Sequence, residues 1–299
     1  MKRTGIIILC AISLLGCGKL GKDGRIKQEI DWSQWYFDDE TGEADKPSVM
    51  VMSFNVRYGT AVEAHEEDSW NNRRDACCAM VNTTRPVTMG VQECMSFQRD
   101  YLKKHCPDYE VVGVSRDGSE DGEQTAIFYL KDSVSVTDWG TFWLSETPDV
   151  VSKHNWAGNY RTATWVKATH IKTGNVFYHI NTHLDLKEEV RGFEMEVIMD
   201  FIHANCASYP VVLTADWNTG ENDEIFSDMY LTFQNARATA VTGDAYGTTN
   251  WFEAPTKERL DHIFYRGFTS CRKFITVIQS WEGHKFISDH YPVYTILQF

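Results

Sequence analysis

No apolar run in the chain is long enough to cross a bilayer as a helix: the run from Ile6 to Leu15 falls well short of the ~20 residues a spanning helix needs. There is no Cys-x-x-Cys pair and no His/Cys cluster at zinc spacing, which excludes a structural zinc site of the usual kind. Basic clusters are missing too. The 29 Lys and Arg are outnumbered by 42 Asp and Glu, giving a net charge of −13. Proteins that hold duplex nucleic acid electrostatically present clustered basic surface, so tight, sequence-independent duplex DNA binding is not expected. An acidic protein can still act on phosphate-bearing substrates if bound cations and a few local arginines make the contacts. Prolines number only 7, and past residue 47 there is no Pro/Gly/Ser-rich break, repeat or low-complexity block. Residues 48–299 therefore read as one large domain, expected to be a monomer.

What the chain does have begins at its first residues. Lys2 and Arg3 precede the short apolar run, which ends in Leu14-Leu15-Gly16-Cys17, so residues 1–16 read as a signal peptide. Leu-Leu-Gly-Cys resembles the lipobox of bacterial lipoproteins, which are cut before the cysteine and lipidated on it. That resemblance implies a mature start at Cys17, a lipid anchor as the sole membrane attachment, and a place in the bacterial cell envelope, periplasmic or at the surface. Cleavage removes Lys2 and Arg3 and no acid, moving the charge from −13 to −15. Residues 17–47, with Trp32, Trp35, Tyr36 and Phe37, read as a tether with a docking patch. Six cysteines remain beyond Cys17: Cys77, Cys78, Cys94, Cys106, Cys206 and Cys271. They read as buried small hydrophobes, with room for one bridge in an oxidising compartment.

Short β-branched and aromatic runs at 49–56, 88–91, 109–114, 125–130, 161–171, 176–182, 211–215, 260–265 and 291–297 read as strands. Helical spacing appears at 70–81, after Asp68 or Ser69 as cap, and at 187–203, where Val190, Phe193, Val197 and Phe201 mark a stripe. Strands and helices mix without strict βαβ alternation. The expected fold is α/β: two packed mixed β-sheets flanked by helices in a four-layer sandwich.

Several strands end in polar groups that a buried strand would not choose for packing. They are Asn55 in MSFNVRYG, Glu93 in MGVQEC, His183 and Asp185 in INTHLD, and Asp216 and Asn218 in VLTADWN. Asp261 follows in RLDHIFY, and Asp289-His290 in SDHYPV. Each alone has a plain reading as turn, surface acid or packed histidine.

Together and in this order they resemble the endonuclease/exonuclease/phosphatase superfamily over residues 48–299, and GEQTAIFY, TFWLSETPD, YRTATW and NTHLD resemble an uncharacterised secreted bacterial branch of it. The fold implied is the DNase-like sandwich and the activity implied is hydrolysis of phosphate esters. By that resemblance Glu93 and Asn55 hold Mg²⁺ or Mn²⁺ through oxygen ligands, with Asp289 completing or adjoining the site. Asp216 aligns and deprotonates the water, and Asn218 donates to phosphate or water, their spacing of two placing both on one strand face. His290 pairs with Asp261, and His183 with Glu123 of GEQTAIFY, each imidazolium donating to phosphate as charge builds. Arg161 and Arg73 are weaker candidates to contact substrate phosphate, with surface salt bridges as the plain alternative.

Two departures stand out. Ala215 occupies the place of the superfamily's usual Gly before the catalytic Asp, a strained choice if that position has positive φ. His262 adds a third imidazole that either titrates near the site or only packs. Missing sub-family strings argue against inositol 5-phosphatase, sphingomyelinase and abasic-site endonuclease patterns. A nuclease-like phosphodiesterase stands first, a phosphomonoesterase on inositol or sugar phosphates second, and an inert lipoprotein that captures phosphorylated ligands third. Trp139, Trp143 and Trp156 read either as a stacking floor or as core and rim packing.

Overall fold

The computed structural model describes residues 46–299 and, within residues 1–45, an antiparallel pair, β1 (Lys19–Leu20) with β2 (Ile26–Lys27). The expected signal segment, Cys17 and the aromatic patch at Trp32, Trp35, Tyr36 and Phe37 lie outside the described residues. Residues 1–45 and 46–299 form separate compact units, and the second carries every candidate catalytic, metal and substrate residue.

In chain order the second unit runs β3 (Ser48–Asn55), α1 (Trp70–Thr84), β4 (Thr88–Gln92), β5 (Cys94–Met95), α2 (Ser96–His105), β6 (Tyr109–Val112), β7 (Glu123–Gln124) and β8 (Ile127–Leu130). It continues with β9 (Val134–Trp143), β10 (Thr162–His170), β11 (Val176–His183), α3 (Glu188–Asn205), β12 (Val211–Asp216), β13 (Gln234–Asn235), α4 (Ala236–Thr239), β14 (Thr242–Gly243), β15 (Asp261–Arg266), β16 (Ser270–Thr276) and β17 (Val293–Gln298). Two mixed sheets result, in the orders β14-β16-β17-β3-β4-β8-β6 and β13-β15-β12-β11-β10-β9. At the middle of each lies a parallel pair, β3 with β4 and β11 with β12, bordered by antiparallel neighbours.

The period of two along each strand builds the layers. In β12, Val212 faces a core shared with Val49 and Val51 of the other sheet, whereas Val211, Leu213 and Ala215 face Met195, Ile198 and Ile202 of α3. In β3 the alternate residues Met50, Met52 and Phe54 are equally buried, so both faces of that sheet are covered, which is why these strands read as unbroken apolar runs. Between the sheets sits a polar staple. Gln92 Nε2 donates to Ser53 Oγ at 3.0 Å and to Asn181 Oδ1 at 2.7 Å, and Thr214 Oγ1 donates to the same Asn181 oxygen at 3.0 Å. Gly90 faces this staple, where a Cβ would lie 2.2 Å from Thr214 Oγ1, so the close approach of the sheets requires glycine.

Helix α1 starts after Ser69, the second of the two expected caps, and ends at Arg85 in the left-handed region. The buried stripe of α3 is shifted from the expected one. Val190, Met195, Ile198 and Ile202 are buried, while Phe193 stacks on His154 and Phe201 on Phe142 at its flanks. All six cysteines named above are buried free thiols, so the bridge allowed for is not formed.

Candidate active site

Parallel neighbours bring their carboxyl ends to the same edge, and antiparallel neighbours bring their beginnings there. β3 ends at Asn55, β4 leads into Glu93, β11 ends at His183 and β12 at Asp216, while β15 starts at Asp261 and Asp289-His290 enter β17. The register places His183, Asp216 and Asp261 side by side. Asn55 joins the two sheets at this edge, donating from Nδ2 to Asp216 Oδ2 at 2.9 Å and to Glu93 Oε1 at 3.2 Å.

Asp216 is the hub. Its Oδ2 lies 3.6 Å from His183 Nε2 and 3.7 Å from His290 Nε2, and its Oδ1 accepts the Asn218 main-chain N–H at 3.0 Å. Burial raises its pKa to about 7, and the Asp261 carboxylate pushes the same way. His290 Nδ1 lies 2.8 Å from Asp261 Oδ2. Burial disfavours its charge, but Asp261 and Asp216 outweigh burial and hold its pKa well above the ordinary value, so the ring is a cation. His183 goes the other way: burial, then Arg161 and Arg116, hold it well below its usual pKa, as a neutral ring.

Glu93 takes φ 56°, a conformation that costs a non-glycine residue strain and that is held by Asn55 and by the Tyr58 N–H, which donates to Glu93 Oε2 at 3.0 Å. Glu93, His183 and Asp216 each offer one ligand atom within 4.8 Å of the others. Buried Asp289, 3.2 Å from Arg57 Nη1, adjoins this group, and Glu93 helps raise its pKa after burial. Converging, partly desolvated carboxylates on a strained backbone are the donor set a hard divalent cation takes, so the residues fit Mg²⁺ or Mn²⁺.

Beside Glu93 and His183 a half-open cavity is lined by Arg116, Glu123, Tyr160 and Arg161, together with the buried Gln124, Thr125 and Thr162. Trp251, half exposed, meets the His290 ring edge to face at 5.6 Å.

Residues 52–290 match the Endonuclease/Exonuclease/phosphatase family. The chain belongs to that family. Among solved structures, an endonuclease/exonuclease/phosphatase from Bacteroides vulgatus is 29% identical, with a TM-score of 0.78 over 85% of this chain and 100% of that one. A Bacteroides thetaiotaomicron mannosyl-6-phosphatase is 28% identical, with a TM-score of 0.76 over 84% of this chain and 100% of its own. An uncharacterised protein of Acanthamoeba polyphaga mimivirus is 24% identical over 268 residues, 83% of this chain and 99% of that one.

The structure thus gathers Asn55, Glu93, His183, Asp216, Asp261, Asp289 and His290, and the His290–Asp261 pairing is present. Three expectations are corrected. Glu123 does not pair with His183; its Oε1 accepts from Arg116 Nη2 at 2.6 Å. Arg73 is not at the substrate. It is buried and donates to the carbonyls of Asp68, Val56, Ile287 and Arg57, so it fastens the loop after β3 to the chain entering Asp289. Asn218 does not share a strand face with Asp216: β12 ends first, Asn218 takes φ 51°, and its amide donates to Leu184 O at 2.8 Å. Asn55 bridges the two carboxylates through its amide N–H groups, and its Oδ1 accepts the Arg57 N–H at 2.9 Å.

Ala215 lies within regular β12 and outside the residues of positive φ, so its methyl group carries no strain. His262 packs, its Nε2 3.0 Å from Thr219 O and its ring beside Phe226. The three tryptophans do not form one floor: Trp143 is buried with Nε1 donating to Arg116 O at 2.7 Å, while Trp139 and Trp156 are exposed. Arg57 and Arg116 also stand at the centre, although neither is among the candidate residues above. Their only local signal is position, one beside the polar strand end NVR and one facing GEQT across a turn.

Proposed function

We propose that the chain is a divalent-metal-dependent hydrolase of phosphate esters in which Asp216 aligns and deprotonates the attacking water. The observation that carries this reading is the single Asp216 oxygen set between two imidazoles and bonded to Asn55, with a second carboxylate behind His290. Glu93, with Asn55 and Asp289 beside it, would hold Mg²⁺ or Mn²⁺, whose charge on the phosphate oxygens is what phosphoryl transfer needs. His290, fixed by Asp261 in its tautomer and charge, donates from Nε2 to a phosphate oxygen. Neutral His183 serves as the second hydrogen-bonding ring on the same oxygen hub. Asn218, anchored to Leu184, keeps a second amide N–H for phosphate or water. Arg161 supplies a buried guanidinium to the phosphate.

Both ester classes are compatible with this centre. Phosphodiesters are one. A specific observation favours the other: a relative of 28% identity, covering 84% of this chain, is named as a mannosyl-6-phosphatase. A passive phosphate-capturing protein has no use for an oxygen hub between two rings. The test is a panel on the purified full chain with Mg²⁺ or Mn²⁺ and with chelator, spanning single-stranded and duplex DNA, RNA, aryl phosphodiesters, inositol phosphates and sugar phosphates. Metal-dependent release on at least one ester is expected; binding without turnover on every member would replace the hydrolase with the binder.

A further inference from the structure

We infer that the cavity beside His183 is a subsite for the unesterified oxygens of a phosphomonoester, and that Arg116 and Arg161 make the site selective for monoesters over diesters. The inference rests on the hydrolase reading above and deepens it.

Arg161 is only 5% exposed, lines the cavity, and has no hydrogen-bond partner at Nε or Nη1. Its nearest carboxylate oxygen, Asp185 Oδ2, lies 3.9 Å away and already accepts the Asn159 N–H at 3.1 Å. Buried guanidinium nitrogens left without acceptors, as Nε and Nη1 are here, carry a desolvation penalty that a ligand oxygen removes. Arg116 is the second cation. Besides its ion pair with Glu123, its main-chain N–H donates to Glu123 O at 2.9 Å and its own carbonyl accepts from Trp143 Nε1. The turn that presents it is tight: Asp117 Oδ1 accepts from Ser115 and Ser119 hydroxyls, and a Cβ at Gly122 would lie 2.0 Å from Ser115 Oγ. Arg116 is thus set in place before any substrate arrives.

The charges decide the ligand. Glu123 is balanced by Arg116 and Glu93 would hold the cation, which leaves Arg161 Nε and Nη1 unspent. A phosphomonoester near neutral pH carries up to two negative charges on three free oxygens, one charge and one oxygen more than a diester. His290 and the metal side of the centre face one set of oxygens, and the guanidinium cavity offers donors for the further one.

The test compares wild type, Arg116→Gln, Arg116→Lys and Arg161→Gln. Steady-state kinetics on p-nitrophenyl phosphate and on bis(p-nitrophenyl) phosphate give the monoester-to-diester ratio of kcat/KM, and calorimetry gives the affinity for inorganic phosphate. Wild type should favour the monoester, and both Gln variants should lower the ratio and the phosphate affinity by about tenfold or more, the scale of one charged hydrogen bond. Arg116→Lys, which keeps charge without the fork, should fall between. A wild-type preference for the diester, or a ratio and phosphate affinity unmoved by Arg116→Gln, would overturn the inference. Should neither ester be turned over, the hydrolase reading is decided by the full panel above, and phosphate calorimetry still decides the subsite: weaker binding in Arg116→Gln upholds it, and no binding by wild type removes it. Arg116 is only partly buried, so its variants carry the result even if Arg161→Gln does not fold.

Discussion

At His290 burial and charge oppose each other, and the two carboxylates of Asp261 and Asp216 win. The cation so formed acts with Asp261 as a unit. His290→Ala and Asp261→Ala should each reduce kcat by about a hundredfold or more, with substrate affinity much less affected. Steady-state kinetics on the double variant should show a loss close to that of either single one, since both remove one function; fully additive losses would separate the two residues. Arg73 predicts a different phenotype. With four of its N–H groups on main-chain carbonyls, Arg73→Met leaves those carbonyls without donors and should destabilise folding by about 3 kcal/mol, read as a lowered urea midpoint.

Single residues were legible where a polar side chain interrupts a strand's end, because buried strands do not choose Asn, Glu, His or Asp for packing. Asn55, Glu93, His183, Asp216 and Asp261 share that signal. Arg73 lacked it, since helical spacing shows which face a residue occupies and not whether carbonyls from distant loops will converge there. Glu123 was placed by resemblance, and the turn that brings Arg116 to it instead is a tertiary matter.

At the scale of elements, the strands most legible in sequence are those buried on both faces, such as β3 and β12. β9 and β16 were missed: β9 is an edge strand whose exposed residues include Asp138 and Trp139, and β16 mixes Arg272 and Lys273 into its run. α2 was missed because its ten residues are mostly polar.

α3 carries a buried acid that nothing in its spacing explains. Glu194 is 0% exposed, accepts the Asp185 N–H at 2.8 Å, and is raised by burial to about 7. A carboxyl whose folded pKa lies above its unfolded one favours folding while protonated, so its contribution is full below the ordinary glutamate pKa and is lost as pH climbs to about 7. The loss is on the order of 3 kcal/mol. Glu194→Gln, which keeps the accepting oxygen, should be more stable than wild type at pH 8 and show a flatter dependence between pH 4.5 and 7.5; chemical denaturation across that range measures it, and parallel curves for the two proteins would refute it.

For the whole molecule, two mixed sheets face each other so that the ends of both central parallel pairs meet at one edge, and a single amide, Asn55, ties them there. The layered α/β architecture was legible because strand and helix patterns mix without βαβ alternation. Which strands are parallel was not, since a period of two is the same in either direction.

We propose that the chain is carried at the bacterial cell envelope by lipid on Cys17, on the strength of Lys2, Arg3, the short apolar run and Leu-Leu-Gly-Cys. Wild type should enter the detergent phase and Cys17→Ala the aqueous phase; equal partitioning would end that proposal.

The central claim is that a divalent cation at Glu93 and a water-directing carboxylate at Asp216 hydrolyse a phosphate ester. Its most direct test is the initial rate of phosphate-ester hydrolysis by wild type and Asp216→Asn, each in Mn²⁺ and in chelator. The account predicts turnover by wild type only with the cation, and a rate at least about a hundredfold lower for Asp216→Asn with its fold intact, the lower end of what a positioned general base contributes. Undiminished hydrolysis in chelator, or a near-wild-type rate for Asp216→Asn, would contradict it.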